Sequence, residues 1–147
     1  MSFATVVLLG VSLLAADSRA MGGERVSGPS FEGVIMMDDV SGRWMPTRQQ
    51  IAELEAALPA YTAAELKRFK VTFSKRLSEY KRQYIGRVQG KRRTIHVTFL
   101  HDKTDIVRSG KWLDRPMMML GGGDSFLYAE YDAGAKTFLS FGVNSPR

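Results

Sequence analysis

Residues 62–102 read TAAELKRFKVTFSKRLSEYKRQYIGRVQGKRRTIHVTFLHD, and the change of hydrophobic period inside this stretch decides how the chain is expected to fold. Its first four residues, Thr62-Ala63-Ala64-Glu65, have the form of a capping box: the Thr hydroxyl accepts from an early backbone N–H and the Glu reaches back to the cap. From there Leu66, Phe69, Phe73, Leu77 and Tyr80 recur at steps of three and four, one narrow stripe of a helix. The spacing predicts a long basic helix over residues 62–80, a rod of about 28 Å. After Tyr80 the period falls to two. Residues 83–88 and 93–100 read as strands, the second with Ile95, Val97 and Phe99 on one face and Thr94, His96 and Thr98 on the other. Gln89-Gly90-Lys91 supplies the glycine that a tight hairpin needs. Gly86, inside the first strand, marks a bulge or the close approach of another backbone.

Outward from this stretch, Thr47-Arg48-Gln49-Gln50 is a second capping box, and Ile51, Leu54 and Leu58 make a short helix that Pro59 closes. Residues 21–30, rich in Gly and Ser, read as a flexible leader, and 31–37 as a strand ended by Asp38-Asp39 and Ser41-Gly42. Residues 101–110 form a polar connection, and Gly121-Gly122-Gly123-Asp124 a turn. Residues 126–131 and 137–143 are the last strands, joined by a loop whose Gly134 invites a bulged hairpin. The expected fold of residues 31–147 is a single α+β domain, a long helix packed on an antiparallel β-meander of four to five strands.

A helix wrapped by such a meander resembles the cystatin-like group. Inhibitors of that group carry Q-x-V-x-G in the hairpin after their long helix. The corresponding residues here are Gly86-Arg87-Val88-Gln89-Gly90, in which Val88 and Gly90 match and Gly86 stands in place of Gln. The resemblance implies a protein-binding wedge at Val88, Gln89 and Gly90. Separately, Gly121 through Phe126, Tyr131-Asp132 and Val143-Asn144 resemble the closing hairpin of small exported bacterial proteins of unassigned function, which bears on fold and location rather than activity.

An address is written in the first twenty residues. Residues 3–16 are mostly apolar, too short to span a bilayer, and Ser18-Arg19-Ala20 has the small-x-small form of a signal-peptidase site. The expected mature chain begins at Met21 with no transmembrane span, exported to the periplasm or secreted by a bacterium. Cysteine is absent.

Charge is lopsided within a net +6. Residues 67–93 hold eleven basic side chains and one acid, Glu79. Lys67, Arg68, Lys75, Arg82, Lys91, Arg92 and Arg93 are therefore the candidate site for an anionic ligand: an acidic glycan, a lipid head group or another protein. Aromatics are not interleaved on this surface, which disfavours nucleic acid.

Catalytic and cofactor signatures are weak. His96 and His101 are five apart on one strand, so they face opposite sides of the sheet. His101, Asp102 and Asp105 read as a solvated turn rather than a metal site. The three glycines at 121–123 lead into a strand, unlike a phosphate cradle. Met36-Met37 and Met117-Met118-Met119 offer thioethers suited to Cu(I), but the reading preferred is that they fill gaps in a core. The sequence thus points to a non-catalytic binding protein without cofactor, with protease inhibition through the hairpin as the alternative and an enzyme of unknown class third.

Overall fold

The computed structural model describes residues 23–37, 44–68 and 75–146. Among them, six strands form one sheet whose spatial order is the chain order: β1 (Glu24–Gly28), β2 (Phe31–Met37), β3 (Tyr80–Gln89), β4 (Arg92–His101), β5 (Phe126–Asp132) and β6 (Thr137–Val143). Adjacent strands run antiparallel except β2 and β3, which are parallel. Parallel neighbours need a crossover, and helix α1 (Arg48–Arg68) lies within it.

This overturns the expected architecture of a long helix on a four- or five-stranded antiparallel meander. The fold is dominated by a mixed six-stranded sheet, and its 21-residue helix begins at Arg48. The working capping box is the one at Thr47: Thr47 N donates to Gln50 Oε1 at 2.9 Å and Gln50 N to Thr47 Oγ1 at 3.2 Å. Thr62 lies inside the helix instead. There its hydroxyl donates back to the carbonyls of Leu58 (2.9 Å) and Pro59 (3.1 Å), the other local use of a Thr side chain.

Pro59, expected to close a short helix, also sits inside α1. An interior Pro removes one helical hydrogen bond. Burial of Ile51, Leu54 and Leu58, each worth about 1.5–3 kcal/mol, offsets that loss. Of the stripe expected over 62–80, Leu66 is helical, Leu77 belongs to a single 3-10 turn and Tyr80 opens β3. Phe69 and Phe73 lie outside the described residues, as do the expected signal at 1–20 and the turn at 38–43. Residues 24–28, expected in a flexible leader, form edge strand β1.

The β3–β4 hairpin forms as the alternation predicts, with Gln89 opposite Arg92 and Gly90 at φ 63°. At Gly86 a Cβ would stand 2.2 Å from the Trp44 carbonyl oxygen, so this glycine accommodates a crossing backbone. Ile95, Val97 and Phe99 pack with Ile51, Leu54 and Leu58 of α1 on the inner face. The outer face is covered as well. Val34, Met36, Ile85, Leu100 and Phe126 gather beneath Trp112, with Met117 and Met119 packed against them. The chain between β4 and β5, which includes the one-turn helix α2 (Asp105–Arg108), supplies this cover. The β5–β6 pairing is bulged at Glu130/Tyr131, as the loop composition predicts, although the positive φ falls on Lys136 rather than Gly134.

Candidate functional site

The seven basic residues of the expected anion site do not form one surface. Lys67 and Arg68 end α1, where Arg68 lies 3.5 Å from Glu65. Lys75 is paired with Asp124. Lys91 follows Gly90 in the hairpin turn, Arg92 reaches Asp132 at 3.2 Å, and the Arg93 guanidinium lies 5.9 Å from the Trp44 ring centre. These three share a shallow hollow of about 480 Å³ with Gln50. From Gln50 to Lys67 the helix rises about 25 Å, which puts Lys67 and Arg68 well away from the tip cations. The expected wedge residues sit where the hairpin places them: Val88 is half-buried near the end of β3, while Gln89 and Gly90 are exposed.

Arg82 is not a surface residue at all. It is 2 % exposed and faces the helix, where Nε and Nη2 meet the two Glu55 oxygens at 3.0 and 3.4 Å. Its Nη1 donates to the carbonyls of Leu77 (2.9 Å) and Tyr80 (2.6 Å). Tyr84 completes the group by donating to Glu55 Oε1 at 2.5 Å. Burial, reinforced by the Glu55 charge and hydrogen bond, raises the Tyr84 phenol far above its ordinary value and keeps it a donor. A buried charge satisfied this fully is a fastener between sheet and helix.

The outer face carries the best-formed site. Gln83 is wholly buried there, and its amide is a clasp: Nε2 donates to the carbonyls of Trp112 (2.5 Å) and Arg115 (2.8 Å), and Oε1 accepts from Met117 N at 2.8 Å. A second clasp is Asn144, whose Nδ2 donates to the carbonyls of Met119 (2.8 Å) and Gly121 (3.1 Å). Residues 117–119 are thus a strap tied at both ends over the sheet. Between strap and sheet lies a cleft of about 620 Å³, lined by Ile85, Thr98, Leu127 and Tyr128, by His96 and Arg87, and by the three strap methionines.

Polar groups at the cleft are organised around Glu130, one strand over. Its Oε2 meets His96 Nδ1 at 2.8 Å and its Oε1 accepts from Thr94 Oγ1 at 2.7 Å, with Arg87 Nη1 3.8 Å away. Burial alone would raise the Glu130 carboxyl, but the hydrogen bonds from His96 and Thr94 and the nearby charges outweigh it and hold the group below its ordinary value. Glu130 is therefore ionised, and the proton in the contact belongs to His96 Nδ1. Thr98 is 6 % exposed, and its hydroxyl finds no hydrogen-bond partner among the described residues.

The sequence assigns no site role to Gln83, Asn144 or Thr98, and Glu130 stands in it only beside Asp124, as a carboxylate for which no partner can be placed. The signal available for Gln83 was its place in the middle of an apolar strand, where a buried amide must find several partners. Asn144 carried only its uniqueness, as the one asparagine of the chain. His96 and His101 face opposite sides of the sheet, as the strand period requires; His101 packs edge-on against Tyr80, ring centres 5.1 Å apart. Among the described residues, no three His, Cys, Asp or Glu side chains gather as metal ligands, and no helix is long and apolar enough to cross a membrane. No family model, curated protein or solved structure matches this chain.

Proposed function

We propose that this is an exported, non-catalytic binding protein that holds a small, largely apolar molecule between the methionine strap and the outer face of the sheet. One observation carries the reading: an apolar-walled cleft of about 620 Å³ is held under a strap that two buried or half-buried amides, Gln83 and Asn144, tie down at both ends. Sites for small molecules have this size and this mixture of apolar wall and few polar groups. Thioethers suit such a wall because they adapt to irregular shapes. Export rests on the apolar run and Ser18-Arg19-Ala20 near the N-terminus.

The test is fluorescence of 1-anilinonaphthalene-8-sulfonate with the folded protein and with Met118→Glu and Met118→Lys. Met118 is 85 % exposed, so neither change disturbs packing. Saturable binding of one dye, weakened severalfold by Glu and kept or strengthened by Lys, supports the site. Absence of saturable binding by the unmodified protein refutes it.

A second reading keeps anion binding at the hairpin tip alone, because Lys91, Arg92 and Arg93 share one hollow. Retention on heparin that falls with salt at a slope of about three counterions, and is lost when these three become Ser, is its expected outcome. The Lys67→Ser/Arg68→Ser variant is then unaffected.

A further inference from the structure

His96 of β4 lies about twenty residues before Met117 and Met119 of the strap in the chain, yet all three line the same cleft. We propose that they form a binding site for a soft monovalent metal ion, Cu(I), with His96 Nε2 and the two thioether sulfurs as ligands. The inference goes beyond the small-molecule reading and does not rest on it.

The imidazole is prepared for this task. Its Nδ1 is 2.8 Å from Glu130 Oε2, a contact that places a proton on that nitrogen and, in the neutral imidazole, leaves the Nε2 lone pair for a metal. A carboxylate behind the non-ligating nitrogen is the outer-sphere support that metal-bound histidines ordinarily have, and it fixes both tautomer and ring orientation. Glu130 is itself fixed by Thr94 at 2.7 Å. The backbone that carries the two methionines is anchored as well. Met117 is anchored through its backbone N–H to Gln83, and Met119 through its carbonyl to Asn144, so the strap is preorganised before any ion arrives. Met118, between them, is 85 % exposed and borders the cleft from its solvent side, whereas Met117 and Met119 pack against the outer-face cluster.

Ligand softness then selects the ion. Two thioethers and one imidazole favour Cu(I) over Zn(II), Ca(II) and Mg(II), which prefer harder or more numerous donors. The chain has no cysteine to draw the metal elsewhere as thiolate. The three ligands are neutral donors, and Glu130 stands behind His96 at its Nδ1, the ring nitrogen that does not face the metal.

The experiment is anaerobic competition for Cu(I) between the full protein and the coloured Cu(I)–bicinchoninate complex. The unmodified protein is expected to withdraw one equivalent. Met117→Leu/Met119→Leu and His96→Gln should each weaken the affinity by at least about tenfold, and Glu130→Gln by about tenfold as an outer-sphere change. Zn(II) should not be held comparably. Leu is close in volume to Met, so the double variant keeps the fold, which circular dichroism verifies, and its dye binding reports the cleft separately. Failure to withdraw copper overturns the proposal. So does withdrawal that the double Leu variant matches, or that only Met118→Leu abolishes. Loss of copper binding with dye binding retained separates this site from the small-molecule reading.

Discussion

Consecutive residues of β3 meet opposite fates. Arg82 and Tyr84 point to the helix, where Glu55 and the carbonyls of Leu77 and Tyr80 take four of the five Arg82 N–H groups and the Tyr84 hydroxyl. Gln83 and Ile85 point to the other face, where Gln83 spends its whole amide on holding a strap and Ile85 lines the space beneath it. The two faces show two uses of a buried polar group. On the inner face polar groups close a contact between sheet and helix. On the outer face they hold chain away from the sheet, and a cavity results.

The largest effect expected from breaking this contrast is on the inner face. Arg82→Met leaves the Glu55 carboxylate buried without its cation, a loss of about 3–5 kcal/mol in urea unfolding. Adding Glu55→Leu removes the stranded charge and should restore most of that loss. Dye binding at the cleft should be unchanged in the double variant, because the pair faces the helix and the cleft lies on the opposite face of the sheet. A double variant as unstable as the single one would show that Arg82 acts through its carbonyl contacts rather than through Glu55.

On the outer face, Gln83→Leu sharpens the comparison. It strands the carbonyls of Trp112 and Arg115 and the N–H of Met117 at once. The expected cost is about 2–3 kcal/mol, and here dye binding falls together with stability. Hydrogen exchange at Met117 should quicken before that of the β3–β4 hairpin, since the strap is the part released. Equal quickening in strap and hairpin would mean that the amide supports the sheet as a whole.

The inner face was the more legible of the two in the sequence, and physics says why. Period-two alternation at Ile95, Val97 and Phe99, the turn glycine at 90 and the tight passage at Gly86 are local signals, and all three are realised. The helix was misplaced because its signals are degenerate. Thr47 and Thr62 both head a box-like tetrapeptide, and only tertiary burial of Ile51, Leu54 and Leu58 decides that the first is the cap and that Pro59 is carried inside. Misplacing α1 also hid the crossover between β2 and β3, and with it the mixed sheet. Arg82 reads as a surface cation in the sequence because a basic run looks solvated when the acid that pairs with one member, Glu55, lies 27 residues away. The cleft was invisible for a similar reason: its clasps join Gln83 to Met117 and Asn144 to Met119 over long sequence distances.

The smallest expected effect is electrostatic and belongs to the cleft alone. Glu130 titrates below its ordinary value of 4.5 in the folded protein. The sign follows from linkage: a carboxyl with a depressed folded value contributes stability that is fully present above its unfolded value and is lost as pH falls through the folded one. Glu130→Gln keeps the shape and an acceptor for Thr94 but removes the charge facing His96 and Arg87. At neutral pH the variant should be less stable by about 1 kcal/mol, the difference between a charged and a neutral hydrogen bond. That gap should narrow as pH drops below 4.5 and vanish once both proteins are uncharged at this position. Because Glu32, Glu53 and Glu79 are also depressed, the pH profile of either protein alone is a composite, and the difference between the two profiles isolates Glu130. Parallel profiles from neutral pH to well below 4.5 would mean that the charge does no work in holding the outer face together, leaving the hydrogen-bonded clasps as its sole polar support.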